Sequence, residues 1–550
     1  MHQRRRAVGA LCALVVLLTA ACAGNAAQTA AASTSETSSG PSGAGSGAVL
    51  ADDQNWQLSP SWALHPELLK GSERFQELAR KRRPTPGERP NIVLISTDDQ
   101  TAAEMRWMPK TRALLGGGAG TRFSDSLSPH PLCCPARAMM LTGQFAQNNG
   151  VRSNFWPYGG YYKVDSNNTL PVWLKQAGYQ TAFLGKYLNE YGLLNPAEVP
   201  PGWDHWRAPV KSGIYDYFNY TMNEDGELEP SDGTYQTDYY ASETENVISQ
   251  MAARDKPFFI WQSNLAPHSA CPTSTSITGS GCWESVTPST TYDHVFDDVP
   301  LPQRRDPSFN ERDVSDKPQV ISKLGPLGPA RQAHLNELFQ RRIESLQSVD
   351  DSVARTVAAL DEAGELDDTL ILFTSDNGYL LGQHRYQSKI LGYEESLRVP
   401  LLMRGPSVPA GVRRSATVGT VDLAPTIMSA AGAKPGLRVD GRDLLPVAAG
   451  QAPGWDTILI QGGPRKPNSG DQWLYRGVRT QRYTYMEYPR TSEVELYDRQ
   501  RDPYQLENAA GDPVYREVQS ELQRRLRRLE VCAGADCRRS FGAMPKPERR

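Results

Sequence analysis

The strongest constraint on the fold of this chain is a set of short apolar runs, each closed by polar residues. Asn91-Ile92-Val93-Leu94-Ile95 ends in Ser96-Thr97-Asp98-Asp99. Gln180-Thr181-Ala182-Phe183-Leu184 ends in Gly185-Lys186, and Pro257-Phe258-Phe259-Ile260-Trp261 runs on to Pro267-His268. Thr369-Leu370-Ile371-Leu372-Phe373-Thr374 ends in Ser375-Asp376-Asn377-Gly378, and Val399-Pro400-Leu401-Leu402-Met403 follows. Continuous apolar runs of this length read as strands buried on both faces. Helical patterns lie between them, at about Ala102 to Leu115 and Pro329 to Ala363. Alternating strands and helices predict an α/β fold with a large, mostly parallel sheet sandwiched by helices. In such sheets ligands bind at the carboxyl ends of the strands. Asp98, Asp99, Lys186, His268, Asp376 and Asn377 are therefore expected to meet on one edge.

A second stretch carries a reactive group. In Cys133-Cys134-Pro135-Ala136-Arg137-Ala138-Met139-Met140-Leu141-Thr142-Gly143, proline suits the first turn of a helix. Cys133 then stands at or just before a helix N-terminus, where exposed N–H groups favour an anion. Arg137, one turn on, faces the same way.

The ends of the chain differ from its middle. Arg4-Arg5-Arg6 precede the apolar run Ala7 to Ala21, and Leu18-Thr19-Ala20-Ala21-Cys22 resembles a bacterial lipobox. Residues 1–21 read as a lipoprotein-type signal peptide, with plain secretion as the alternative. Export to the cell surface or the medium is expected, and the one membrane contact would be a lipid on Cys22. Residues 22–90 are Ala/Ser/Thr/Gly-rich and then basic, a tether and linker. Residues 91–450 form the expected catalytic domain. From about Trp455 short aromatic strands and a helix at Pro513 to Leu529 predict a small antiparallel C-terminal subdomain at 451–545. Removing residues 1–21 takes away three Arg and no acid, so the formal charge falls from −3 to −6. That balance argues against a nucleic-acid partner. The pairs Cys271/Cys282 and Cys532/Cys537 are expected to form local disulfides in an exported protein, leaving Cys133 and Cys134 unbridged.

Asp98-Asp99 and Asp376-Asn377 supply three carboxylates and a neutral carbonyl, a donor set for a hard divalent cation. The tolerance of Ca²⁺ for irregular geometry favours it over Mg²⁺. Lys186, Lys389, Arg137 and His268 would neutralise a small polyanion beside that metal, as sulfuryl and phosphoryl transfer require.

The eleven-residue stretch resembles the signature of the type I, formylglycine-dependent sulfatases. Asp98-Asp99, Gly185-Lys186, Ala266-Pro267-His268, Asp376-Asn377-Gly378 and Lys389 match its other motifs in order. The stretches Lys186-Tyr187-Leu188-Asn189, Pro201-Gly202-Trp203 and Ser348-Val349-Asp350-Asp351 are similar to the N-acetylglucosamine-6-sulfatase branch. The resemblance implies an alkaline phosphatase-like fold and conversion of Cys133 to Cα-formylglycine by a formylglycine-generating enzyme. It also implies a hydrated aldehyde that attacks sulfur, with Cys133 joining Asp98, Asp99, Asp376 and Asn377 around the cation. Arg137 would hold the hydrate, Lys186 and Lys389 would bind sulfate, and His268 or Lys389 would protonate the leaving alcohol. The implied substrates are 6-O-sulfated N-acetylglucosamine units or aryl sulfates. Phosphate or phosphonate ester hydrolysis is the first alternative; a non-catalytic glycan-binding lipoprotein is the second. Leu188 stands where many sulfatases carry His, and His384 is the candidate substitute base. Cys134 is expected to pack. Phe155-Trp156-Pro157-Tyr158 and Tyr215-Asp216-Tyr217-Phe218 are two candidate sugar platforms.

Overall fold

The computed structural model describes residues 77–78, 89–271, 284–464, 470 and 472–548. The signal segment, nearly all of the tether and Cys282 lie outside the described residues. Ten strands build the main sheet: β1 (Asn91–Thr97), β2 (Thr121–Phe123), β3 (Gln180–Gly185), β4 (His205–Pro209), β5 (Thr221–Glu224), β6 (Glu227–Pro230), β7 (Phe258–Ser263), β8 (Thr369–Ser375), β9 (Leu401–Arg404) and β10 (Val412–Arg414). Their order across the sheet is β10-β2-β9-β8-β1-β7-β3-β4-β5-β6. The centre is parallel: Val93 of β1 is paired with Ile260 of β7 on one side and Ile371 of β8 on the other.

Every residue of β1, β3, β7 and β8 is buried, which is why these runs lack polar alternation. The pleat instead divides the apolar residues between two cores. Val93 and Ile95 face one core with α2 (Gln236–Ala252) and α3 (Pro329–Glu362), both of which follow α1 (Cys133–Thr142) in the chain. Ile92 and Leu94 face the other, with Cys134, Met140 and Leu141 of α1. The predicted helix-sheet-helix sandwich is thus present.

The fifth apolar run differs from a parallel strand. β9 lies antiparallel to β8, with Leu402 opposite Phe373. The chain between residues 376 and 400 stays at the strand tips, building the segment that holds Lys389. It therefore re-enters the sheet from the tip end. The outer strands β4, β5 and β6 are also joined antiparallel.

α1 begins at Cys133, after extended Leu132, and ends at Gly143, whose φ of 64° is the left-handed helix stop that glycine tolerates. All ten of its residues are buried, because its two faces serve different cores. Ala136 and Met139 face the C-terminal core. That core belongs to an antiparallel sheet of β11 (Ile458–Gly462), β12 (Tyr475–Arg479), β13 (Tyr483–Tyr488) and β14 (Glu493–Asp498), as expected from its aromatic strands. Helix α4 (Arg516–Leu529) covers it through Val518, Leu522, Leu526 and Leu529. Cys532 and Cys537 form a disulfide, Cys271 is disulfide-bonded, and Cys133 and Cys134 are free and buried. Among the described residues no helix is long and apolar enough to cross a membrane.

Candidate active site

The tips of β1 and β8 lie side by side, so the two acidic pairs meet. Asp99 adopts φ 71°, a left-handed conformation that Asp tolerates better than most side chains. Its N–H donates to Asp376 Oδ1 at 3.1 Å, and the Asn377 N–H donates to the same oxygen at 2.8 Å. Asn377 Nδ2 donates to Asp99 Oδ1 at 2.6 Å and to the Gly378 carbonyl at 2.9 Å. Asn377 Oδ1 is buried with no hydrogen-bond partner. All four side chains are buried.

Helix α1 delivers Cys133 and Arg137 to this edge. Cys133 Sγ lies 3.5 Å from Asp98 Oδ1 and 2.9 Å from Lys389 Nζ. The Arg137 guanidinium spans the strand tips. It donates to Asp376 Oδ2 (2.8 Å), Asp98 Oδ2 (2.9 Å), the Lys186 carbonyl (2.6 Å) and Ser263 Oγ (2.5 Å). Lys186 Nζ is 2.5 Å from Asp98 Oδ2 and 4.7 Å from the centre of the Tyr215 ring. Lys389 is ion-paired with Asp99 and lies 3.8 Å from Asp98. His268 Nδ1 lies 2.7 Å from the Ser269 carbonyl, so it carries the ring proton and leaves the Nε2 lone pair 3.7 Å from Asp99 Oδ2. Three carboxylates thus face three permanent cations, and the predicted Asp98, Asp99, Cys133, Arg137, Lys186, His268, Asp376, Asn377 and Lys389 form one cluster, from which His384 is absent.

Burial dominates the electrostatics. It disfavours the charged form of Asp98, but the cations Lys186, Arg137 and Lys389 outweigh it and hold that carboxyl well below the usual range. Burial, with Asp98 beside it, pushes Asp376 up to about 6. Burial and the Asp98 charge push the Cys133 thiol up to about 12. An unmodified Cys133 is therefore a neutral thiol, a poor nucleophile. Burial, then Lys389 and Lys186, hold His268 well below its ordinary value, so its ring is neutral.

The donor set suits a hard divalent cation. One ligand atom each from Asp98, Asp99, Cys133 and His268 lie within 4.8 Å of one another. Asp376, expected as a ligand, is not one of these four: its Oδ1 accepts from the Asp99 and Asn377 N–H groups and its Oδ2 from Arg137. Carboxylate and amide oxygens are what Ca²⁺ and Mg²⁺ take.

Several contributors have no sequence signal, or a faint one. Ser263 closes an apolar strand, so the strand-tip rule could have named it. Tyr215 ends a short 3-10 helix (Lys211–Tyr215); its hydroxyl accepts from Asn189 Nδ2 at 2.8 Å and its ring lies 5.3 Å from that of His268. Arg342, midway along α3, donates to the Asp99 carbonyl at 2.6 Å and is paired with Glu104. Leu188 turns away from the site into the aromatic core with Tyr187, Tyr191 and Trp206. His384 stacks on Tyr393 at 4.3 Å and engages Glu311 at 2.6 Å; no hydrogen bond carries it to Cys133 or Asp376. Cys134 packs in the core, as expected.

Residues 90–433 match the Sulfatase family, and residues 382–531 match the C-terminal region of N-sulphoglucosamine sulphohydrolase. A putative extracellular sulfatase Sulf-1 homolog of Caenorhabditis elegans is 34% identical over 407 residues, 70% of this chain and 54% of that protein. This chain thus spans about half the length of that relative. The N-acetylglucosamine-6-sulfatase of Homo sapiens is 32% identical over 497 residues, 82% of this chain and 86% of that one. A structure solved with its substrate D-glucosamine-2-N,6-O-disulfate superposes with a TM-score of 0.65 at 24% identity, covering 80% of this chain and 97% of the other. With the sheet, the strand-tip cluster and these matches together, the chain belongs to the sulfatase family, the sulfuric ester hydrolases of alkaline phosphatase-like fold.

Proposed function

We propose that this protein hydrolyses the 6-O-sulfate of N-acetylglucosamine-type sugars, or an aryl sulfate, with a hydrated formylglycine made from Cys133. One observation carries the reading. A neutral, buried Cys133 at a helix start lies against Asp98 and Lys389, while Arg137 braces both acidic strand tips. A thiol held near 12 does little chemistry there, whereas an aldehyde hydrate supplies two hydroxyls in the same place. One hydroxyl attacks sulfur, the sugar alcohol leaves, and collapse of the hydrate expels sulfate and restores the aldehyde. A serine or cysteine sulfate has no such exit.

This chain's own residues divide the remaining work. Asp98, Asp99, Asp376 and Asn377, with the residue made from Cys133, would hold a divalent cation, with Ca²⁺ favoured over Mg²⁺. When bound, that cation supplies Lewis-acid stabilisation of negative charge. Lys186 and Lys389 bind sulfate oxygens. Arg137 holds the hydrate and keeps Asp98 and Asp376 ionised. His268, or Lys389, gives the proton to the leaving oxygen; neutral His268 would act as a hydrogen-bond partner until substrate charge raises its basicity. The 6-sulfate preference rests on the relatives' names. We place the catalytic part at 91–450 with 451–545 as its C-terminal subdomain, and the protein outside the cell, either anchored through Cys22 or secreted. Maturation then needs a formylglycine-generating enzyme that reads Cys133-x-Pro135-x-Arg137.

The test has two arms. Protein from the native host is digested and the peptide containing Cys133 is weighed; an aldehyde mass is expected, and an unmodified thiol overturns the enzymatic reading. Sulfated monosaccharides, glycosaminoglycan fragments and aryl sulfates are then screened beside matched phosphate esters. Faster turnover of the phosphates would reassign the chemistry.

A further inference from the structure

We propose that the loop 152–159, tied to the first turn of α1, forms a second sugar subsite that binds an anionic pyranose linked to the unit being desulfated. The inference rests on the sulfatase reading above and names the part of the substrate that the sulfate leaves behind.

The two aromatic loops of the sequence have different fates. Tyr217 is buried, its ring stacked on Tyr235 at 5.3 Å, and Phe218 packs against the same core. Tyr215 of that loop is committed to Lys186 and His268, and the loop's other rings have little face left for a ligand. Phe155 and Trp156, in contrast, are 43% and 56% exposed. Adjacent exposed rings of this size form the kind of contiguous apolar patch that marks an interaction site.

The loop is built rather than loose. The Arg152 N–H donates to the Tyr158 carbonyl at 2.7 Å, and Ser153 bridges Gly159. A Cβ at Gly159 would lie 1.6 Å from the Ser153 carbonyl oxygen, so only glycine closes the loop. Asn154 Oδ1 accepts from the Cys134 N–H at 2.9 Å, which ties the loop to the first turn of α1. Phe155 follows Asn154 directly. At 3.8 Å per residue the Phe155 Cα stands within ~10 Å of the Cys134 N–H, with the rings extending beyond it.

Cations stand over the rings of the loop, and one carboxylate lies at its backbone, where Glu190 Oε2 accepts from the Trp156 N–H at 3.0 Å. Lys163 Nζ lies 5.8 Å over the Trp156 ring. The Arg152 guanidinium lies 5.6 Å from the Tyr158 ring centre and 5.2 Å from that of Trp473. Aromatic faces beside fixed cations match a pyranose that carries an anionic group: C–H bonds meet the ring and the anion meets Arg or Lys. A bilayer surface is the competing occupant, because Leu193 and Leu194 are exposed on the adjoining loop.

The experiment compares two probes, 6-O-sulfo-N-acetylglucosamine and a 6-O-sulfated glucosamine–uronate tetrasaccharide. For the full-length protein the ratio of kcat/KM, tetrasaccharide over monosaccharide, is measured and repeated with Trp156→Ala, Phe155→Ala and Arg152→Gln. One lost aromatic contact should lower the ratio about tenfold. An unchanged ratio overturns the subsite. Binding of the tetrasaccharide to Cys133→Ala protein is measured by calorimetry, and adding Trp156→Ala should raise Kd about tenfold. If the wild type desulfates neither probe but Trp156→Ala still weakens binding, the subsite stands and the sulfatase reading falls. If the wild type is active while ratio and Kd are both unmoved, the subsite falls and the sulfatase reading stands. Sedimentation with phosphatidylglycerol vesicles completes the set: vesicle binding lost in Trp156→Ala, with the tetrasaccharide Kd unmoved, makes the loop a membrane face and overturns the proposal.

Discussion

Arg137→Met tests the site at its most connected residue. The substitution keeps an apolar stem of similar length and removes the guanidinium. It breaks two buried ion pairs, to Asp376 and Asp98, and leaves the Ser263 hydroxyl and the Lys186 carbonyl each short of a donor. Asp98 keeps Lys186 at 2.5 Å, so the larger penalty falls on Asp376. Breaking one buried pair costs about 3–5 kcal/mol. Each of the two lost neutral contacts adds about 1 kcal/mol. Relief by protonation of Asp376 offsets part of this, so the expected loss at pH 7 is about 4 kcal/mol. Arg137→Lys restores the charge but not the fork, and should recover about half of that. The measurement is urea unfolding followed by tryptophan fluorescence, with the midpoint shift multiplied by the wild-type slope. The sign with pH is also set. Arg137 lowers the Asp376 pKa in the folded state, so its removal matters most where Asp376 is ionised. The loss should therefore grow as pH rises from 5 to 8. A loss under about 1 kcal/mol, or one that shrinks with pH, refutes the clamp.

Two further outcomes follow from the same geometry. In metal-free protein the folded Asp376 carboxyl titrates near 6, above its unfolded value, so the native state binds more protons and stability falls as pH rises through that window. Asp376→Asn should remove a decline of about 3 kcal/mol, and added Ca²⁺ should raise the thermal midpoint most above pH 6; a steeper decline in the variant contradicts the assignment. Tyr215 meets Lys186 with its ring face. Tyr215→Leu should raise KM for sulfate esters about thirtyfold, while Tyr215→Phe stays within a few-fold of wild type, since a desolvated cation–π contact is worth about 2 kcal/mol. Equal effects of the two would mean that the hydroxyl, not the ring, matters.

Much of this protein is written locally. The apolar runs of β1, β3, β7 and β8 were recognisable because strands buried on both faces show no alternation. Their polar tips then placed Asp98, Asp99, Lys186, Asp376 and Asn377 on one edge before any contact was known. The start of α1 at Cys133 followed from Pro135, and its end from Thr142-Gly143. The length of α3 and the antiparallel C-terminal sheet were legible for the same reason: helix and strand periods are properties of neighbouring residues.

What the tertiary structure decided are the contacts between residues far apart in the chain. Lys389 and Asp99 are 290 positions apart, and Arg137 and Asp376 are 239 apart; no spacing rule joins them. The direction of β9 depended on the chain remaining at the strand tips, which hydropathy does not encode. The inward turn of Leu188, the docking of His384 on Glu311 and the place of Tyr215 beside Lys186 depend on what packs around them. The two aromatic loops look alike as sequence, yet Tyr217 is core and Trp156 is surface. Composition and period describe a segment, whereas burial belongs to the whole fold. The place of Cys133 at a helix start, one turn before Arg137, is therefore legible from its motif, while the groups around it that tune its charge are not.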